Sequence, residues 1–197
     1  MSVADFFDAA RALKREWTGT GQGLSQAEVD ALNAIIATWG PAMRPSQAAF
    51  DLIKQFEGYA TKTADGGCKA YPDPASGGDP WTIGYGSTGP DVRPGTIWTQ
   101  QQAEERLKAD VSRFAAAVSD LIGSTPTLQR EFDAMVSLAY NIGLGNFGGS
   151  TLLRKHKAND KAGAAAEFGK WRMAAGKVMK GLIRRRTAEA ALYRGQS

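Results

Sequence analysis

The chain has 197 residues, of which 43% are hydrophobic and 22% charged, and this ordinary composition excludes disorder as a description of the whole. A single cysteine and a single histidine exclude a disulfide framework and zinc sites built from several such residues. Charge is uneven, with a net −5 over residues 1–149 and a net +9 over residues 150–197. The basic last quarter is typical of a protein with an anionic partner, and equally of solvated helix faces.

Residues 1–44 are predicted to form a helical extension of unknown role. Apolar residues recur at helical spacing over residues 3–17. Ser25 and Glu28 have the spacing of a capping box, and the helical stripe that follows ends at Gly40. Two short helices make a poor core, so we expect them to pack on the main domain or on a partner.

The following unit, residues 45–197, opens with a predicted helix that Ser46 caps and that ends near Glu57. Residues 59–98 are rich in glycine, proline, aspartate and threonine. Short stretches in them, around Tyr71 and over residues 81–85, favour strands. We therefore expect an irregular segment with a small β-hairpin or a three-stranded sheet.

Helical periodicity dominates the rest of the chain. The predicted helices cover residues 99–121, 127–142, 149–157, 160–171 and 179–193. The order of elements predicts an α+β, mostly helical fold with a small β lobe, a long connecting helix and a C-terminal helical lobe. Two lobes joined by one helix leave a cleft, which is a common place for a ligand site.

Glu57 is the first carboxylate that could do chemistry. It lies in the predicted last turn of a helix, where the negative end of the helix dipole disfavours ionisation. Apolar surroundings would act in the same direction, and a general acid must carry its proton. A glutamate at a helix end is usually only solvated, and position alone favours that interpretation.

Asp73 is stiffened by a proline on each side and is a candidate for a second, ionised carboxylate. Asp79 competes with it for this role, and aspartate beside proline is also ordinary turn chemistry. Thr82 begins a β-prone stretch, and its hydroxyl could hold a water molecule against a carboxylate. Two carboxylates and a water-orienting hydroxyl are what glycoside hydrolysis requires.

These residues occur in motifs that resemble the phage-type lysozymes, glycoside hydrolase family 24. The resembling stretches are Phe56-Glu57-Gly58, Tyr71-Pro72-Asp73, Thr82-Ile83-Gly84-Tyr85-Gly86, residues 139–147, Ser150-Thr151-Leu152-Leu153, and Trp171 with residues 176–178, residues 181–186, Glu189 and Tyr193. They follow the family's order over about residues 45–197. The resemblance implies a two-lobed lysozyme-like catalytic domain that needs no cofactor.

The resemblance also implies roles. Glu57 would be the general acid, Asp73 the second carboxylate and Thr82 the residue that positions water, in an inverting reaction with the carboxyl groups roughly 6.5–9.5 Å apart. The substrate would be the β-1,4 bond between N-acetylmuramic acid and N-acetylglucosamine in peptidoglycan. Tyr140 and Asn141 would line the cleft, although a core position suits Tyr140 equally well.

The chain departs from the family pattern in three places. Fifteen residues separate Glu57 from Asp73 and eight separate Asp73 from Thr82, where the family has eight and five. The Tyr-x-Asp pattern favours Asp73 over Asp79. Ser87 stands where many members have histidine, and this difference concerns one local polar contact and not the reaction.

Three functions stay open at this stage. We favour an endolysin that lyses the host cell. A lytic transglycosylase would need only one acidic glutamate, and a non-catalytic wall-binding module would need none of the three residues. The basic C-terminal quarter is a candidate for contact with an anionic membrane or wall polymer. No recognition motif supports binding of nucleic acid. We expect the protein to be a monomer.

Smaller expectations complete the analysis. The first residues lack a secretory signal, and no apolar run approaches the ~18 residues of a membrane-spanning helix. We therefore expect a protein that stays in the host cytoplasm until a holin-type pore releases it. Arg184, Arg185 and Arg186 are expected to pair with Glu189 rather than bind glycan. Finally, Cys68 is expected to be an exposed thiol and His156 a surface residue.

Overall fold

The computed structural model describes residues 3–19, 23–29, 32, 43–59, 61–72, 78–174 and 176–196. The chain divides into two compact units, Met1–Ala42 and Met43–Ser197. Among the predicted site residues, Asp73 lies outside the described residues. Within the described residues, no helix is long and apolar enough to cross a membrane.

The first unit begins with helix α1 (Val3–Thr18), as the periodicity predicts. The capping box is also confirmed. The backbone N–H of Ser25 donates to the carboxylate of Glu28 at 2.7 Å, and residues 26–29 are helical. The end of the predicted stripe at Gly40 lies outside the described residues.

The second unit is mostly helical and confirms the α+β prediction. Its helices are α2 (Gln47–Glu57), α3 (Gln100–Ile122), α4 (Gln129–Ile142), α5 (Leu144–Gly148), α6 (Thr151–Lys157), α7 (Lys161–Glu167) and α8 (Lys180–Arg194), with a 3₁₀ turn at Phe168–Lys170. Its strands are β1 (Cys68–Lys69) and β2 (Ile97–Trp98), then β3 (Met173–Ala174) and β4 (Lys177–Val178), which form two antiparallel pairs. Helix α2 and then the small β region with β1 and β2 precede the 23-residue helix α3, and helices α4 to α8 follow it.

The expected small β region forms, but the two β-prone stretches contribute only isolated bridges to it. Tyr71 pairs with Thr82 and Ile83 with Ser87 through single bridges, and β1 and β2 lie outside both stretches. Backbone conformation explains the difference. Gly84 and Gly86 have φ of 61° and 84°, so the chain turns here instead of extending.

Helix α4 lies at the centre of the second unit. All nine residues from Glu131 to Ala139 are buried, so the helix is enclosed on every side. It packs against α2, α3 and α8. Asp133 on α4 accepts a hydrogen bond from the backbone N–H of Ser46 at 2.9 Å, just before α2 begins. Helix α4 thereby fixes α2 and α8, whose facing residues form the candidate site.

Candidate active site

Glu57 is the last residue of α2. Ser46 caps the start of this helix and Gly58, with φ of 70°, ends it. The Glu57 side chain is 20% exposed, and its Oε1 lies 2.6 Å from Nη1 of Arg185 on α8. The surroundings of this oxygen are therefore charged and not apolar, because a buried guanidinium lies beside it.

The other carboxylate oxygen of Glu57 lies against the backbone of Gly86. A Cβ atom on Gly86 would be only 3.0 Å from Oε2, closer than such contacts normally are. Gly86 also has φ of 84°, which side chains other than glycine rarely adopt. The turn that starts at Thr82 thus brings a side-chain-free backbone up to the carboxylate.

Thr82 is half-buried and pairs with Tyr71, with backbone hydrogen bonds of 2.9 Å in both directions. Tyr71 precedes Asp73 by two residues, so the bridge places Thr82 beside the segment that leads to the predicted second carboxylate. Asp79, the competitor, is exposed.

The two predicted cleft residues on α4 differ in their surroundings. Asn141 is exposed and lines a cavity of about 770 Å³ together with Glu57 and Arg185. Its Oδ1 accepts a hydrogen bond from Arg186 at 3.1 Å. Tyr140 packs on Phe114 instead, with ring centroids 5.2 Å apart.

The hydroxyl of Tyr140 donates to the carbonyl of Tyr85 at 3.2 Å. Burial raises the pKa of Tyr140 well above its ordinary value, and the nearby charge of Glu57 adds to this effect. The phenol therefore stays neutral and ties α4 to the turn that faces Glu57.

Ser87 retains a local polar contact at the position where many members of the resembling family have histidine. It is buried, and its hydroxyl donates to Asp110 on α3 at 3.0 Å. Arg106 lies 3.2 Å from the same carboxylate and donates to the carbonyl of Thr88 at 2.8 Å. Because serine does not titrate, this contact does not depend on the ionisation of an imidazole.

Sequence reasoning missed the pairing of Arg185 with Glu57. It linked the arginines to Glu189, and Arg185 and Arg186 do contact Glu189, whereas Arg184 is exposed. No local pattern could have shown the Glu57 contact, because the two residues are 128 positions apart. The one signal in the sequence was the high density of charged residues in α8, since a helix that packs in the core must pair the charges that it buries.

Two smaller expectations are wrong. Cys68 is fully buried at the start of β1, where it belongs to the hydrophobic core. His156 is also fully buried, with its ring between the hydroxyls of Thr127 and Tyr193. Within the described part of the chain, no three histidine, cysteine, aspartate or glutamate side chains are grouped to hold a metal ion.

Comparison with known proteins identifies the family of this chain. The family model described as phage lysozyme matches residues 54–189. The endolysin of Bacillus phage PZA is 44% identical over 151 residues, which are 77% of this chain and 55% of that protein. The chain thus spans about half the length of this relative. The endolysin of Acyrthosiphon pisum secondary endosymbiont phage 1 is 39% identical over 77% of this chain and 98% of its own.

A solved structure shows the fold. The endolysin from Escherichia coli O157:H7 phage FAHEc1 superposes with a TM-score of 0.65 and 39% identity, covering 78% of this chain and 94% of that one. The predicted lysozyme-like fold is therefore confirmed.

Proposed function

Because the chain belongs to the phage lysozyme family, we propose that it is an endolysin, a muramidase that lyses the host cell. It would hydrolyse the β-1,4 bond between N-acetylmuramic acid and N-acetylglucosamine in peptidoglycan. One observation carries the proposal beyond family membership. The carboxyl group of Glu57 lies at the end of a capped helix, in the wall of a cavity of about 770 Å³ and against a side-chain-free turn.

The proposed mechanism assigns one role to each of three residues. Glu57 protonates the glycosidic oxygen as the bond breaks. Asp73 activates the attacking water or stabilises positive charge on the sugar, and Thr82 positions that water. In an inverting reaction the two carboxyl groups must leave room for water between them. Asn141 contributes a polar contact to the glycan in the cavity.

Mass spectrometry of fragments released from purified peptidoglycan tests the reaction, with Glu57→Gln as the inactive comparison. We expect hydrated, reducing muramic acid ends from the wild type and none from the variant. Anhydro ends would instead identify a lytic transglycosylase. Wall binding without any release would identify a non-catalytic module.

The second carboxylate is tested by two matched amide variants. Asp73→Asn should lower the turnover rate by about 100-fold or more, since general acid–base and charge stabilisation each contribute on this scale. Asp79→Asn should stay within about threefold of the wild type. Loss of activity in the Asp79 variant alone would transfer the role to Asp79, and full activity in both would contradict hydrolysis by two carboxylates.

We also propose that residues 168–184 contact an anionic surface. This segment contains five lysine and arginine residues and no acidic residue. It also contains exposed apolar side chains, with Met173 59% and Val178 54% exposed. An anionic bilayer offers both phosphates and acyl chains to such a surface, whereas a soluble anionic polymer offers only charge.

Release from the host cytoplasm through a holin-type pore completes the proposal. The relatives named endolysins support it. Expression in cells that make no holin tests it directly. We expect the wall to stay intact until chloroform or another membrane-permeabilising agent is added, and spontaneous lysis would contradict this route.

A further inference from the structure

A buried group of charges lies behind the general acid proposed above. Arg185 and Arg186 are 3% and 1% exposed, and Glu189 is fully buried. Removing a charge from water costs several kcal/mol unless it is well paired, and apolar residues often fill such a space with equal or greater stability. The cluster therefore calls for an explanation other than stability.

The guanidinium of Arg185 contacts three helices at once. Nε donates to Glu189 on α8 at 3.1 Å, and Nη2 donates to the carbonyl of Ser137 on α4 at 3.3 Å. Nη1 donates to Glu57 at the end of α2 at 2.6 Å. Because the guanidinium is planar, the first two contacts determine where Nη1 points.

Glu189 is the acceptor on which this arrangement depends. Its Oε1 accepts hydrogen bonds from the hydroxyl of Ser137 at 2.8 Å, from Arg185 and, at 3.0 Å, from Arg186. The spacings of three and four residues put both arginines on the same helix face as Glu189. Arg186 in turn donates to Asn141. Glu189 therefore orients both arginines, one of which contacts Glu57 and the other Asn141 in the cavity wall.

We propose that Glu189 is a positioning residue that acts through Arg185 and holds the carboxyl group of Glu57 in its working orientation. The inference rests on the proposed role of Glu57. Glu189 lines no part of the cavity and acts only through the arginines.

The charges of the cluster balance. Glu57 and Glu189 face Arg185 and Arg186, and Tyr140, which is close enough for the charge of Glu57 to raise its pKa, is a neutral phenol. Burial raises the pKa of Glu189, and the two guanidinium groups counteract this effect. The carboxylate of Glu189 accepts three hydrogen bonds, which suits its ionised form. Removing the charge of Glu189 would leave Glu57 as the one carboxylate of the cluster beside two guanidinium groups.

Glu189→Gln tests the proposal, because glutamine keeps the shape and removes the charge. We expect kcat to fall at least tenfold on soluble peptidoglycan fragments, with KM within about threefold. A general acid works only while protonated, and an excess of cations favours its ionised form. The alkaline limb of the pH profile should therefore move to lower pH.

Glu167→Gln is the matched control. Glu167 is also buried, and Lys155 and Lys170 pair with it at 2.8 Å. This variant should lose stability without any change in the pH profile. Arg185→Lys keeps the charge and loses the planar fork, so it should lower kcat and leave the alkaline limb in place.

The outcomes separate the inference from the function on which it rests. If Glu189→Gln loses stability alone, as Glu167→Gln does, Glu189 is structural and the inference is wrong. If Glu57→Gln remains fully active, the proposed function fails whatever Glu189 does. Should Glu189→Gln not fold, Ser137→Ala removes one donor to Glu189, and it must then reproduce a smaller fall in kcat for the inference to hold.

Discussion

At the residue scale, the carboxyl group of Glu57 is held on both sides by groups that local sequence does not place there. One oxygen pairs with a guanidinium from the far end of the chain, and the other lies against a glycine. Reactive groups must be held to within a fraction of an ångström, so each contact should affect rate more than stability. Gly86 offers a test, because its neighbour is the mobile end of a side chain.

Gly86→Ala should lower turnover at least tenfold while the protein stays folded. The new methyl group would displace Oε2 of Glu57, which can move without disturbing the backbone. Alanine at the positive φ of Gly86 adds a stability cost of about 1–2 kcal/mol. Gly95→Ala is the control, since Gly95 has φ of 85° and no atom near its added Cβ. In urea unfolding, the two variants should lose equal stability. In turnover assays, only Gly86→Ala should be slower, and equal turnover of the two variants would contradict the prediction.

At the element scale, helix limits could be predicted because capping is local. Ser46 and Thr99 cap the starts of α2 and α3 as their sequences indicate, and Gly58 ends α2. The β region could not be predicted in the same way. Its strands pair residues 68–69 with residues 97–98, and the β propensity of residues 81–85 is overridden by two glycines that turn the chain.

His156 joins α6 to α8 and should make that junction sensitive to acid. Burial and the charge of Lys161 lower its pKa to about 4, from 6.5. As pH falls from 6.5 towards 4, the unfolded chain gains a proton that the folded protein does not. Stability should therefore fall over this range, by up to roughly 3 kcal/mol.

The histidine is unique in the chain, which makes this prediction simple to check. The imidazole resonances in NMR spectra should not titrate near pH 6.5. His156→Gln should be less stable than the wild type at pH 7 and should lose less stability between pH 6.5 and 4 in urea unfolding. Equal losses in both proteins would show that the ring does not carry the effect.

The β3–β4 hairpin and the start of α8 should bind anionic vesicles. Each basic residue near an anionic surface contributes about 1 kcal/mol, so replacing both Lys177 and Lys180 with glutamate should weaken binding at least tenfold. Replacing exposed Lys69 and Lys108 in the same way is the control, because it changes net charge equally at another place. Co-sedimentation with vesicles containing phosphatidylglycerol measures the binding of both double variants. Equal weakening in the two would show that only net charge matters, and not the place of the lysines.

At the scale of the whole molecule, the chain contains two units that differ in net charge, and only the second contains residues proposed for the site. Met1–Ala42 carries a net charge of −2, and Met43–Ser197 a net charge of +6. The match to the phage lysozyme family, residues 54–189, and every residue proposed for the site lie in the second unit. The division into an N-terminal extension and a catalytic domain is therefore our proposal for how function is distributed.

A variant that begins at Met43 tests this distribution. The contacts that hold Glu57, Gly86 and Arg185 are made among residues of the second unit, so turnover on soluble fragments should stay within about twofold of the full chain. Binding to anionic peptidoglycan at low salt should be at least as tight, because the truncation removes net negative charge. Thermal unfolding and turnover of both proteins, measured side by side, give the comparison. A loss of more than tenfold in turnover, or failure to fold, would mean that residues 1–42 are part of the catalytic domain and that its boundary is misplaced.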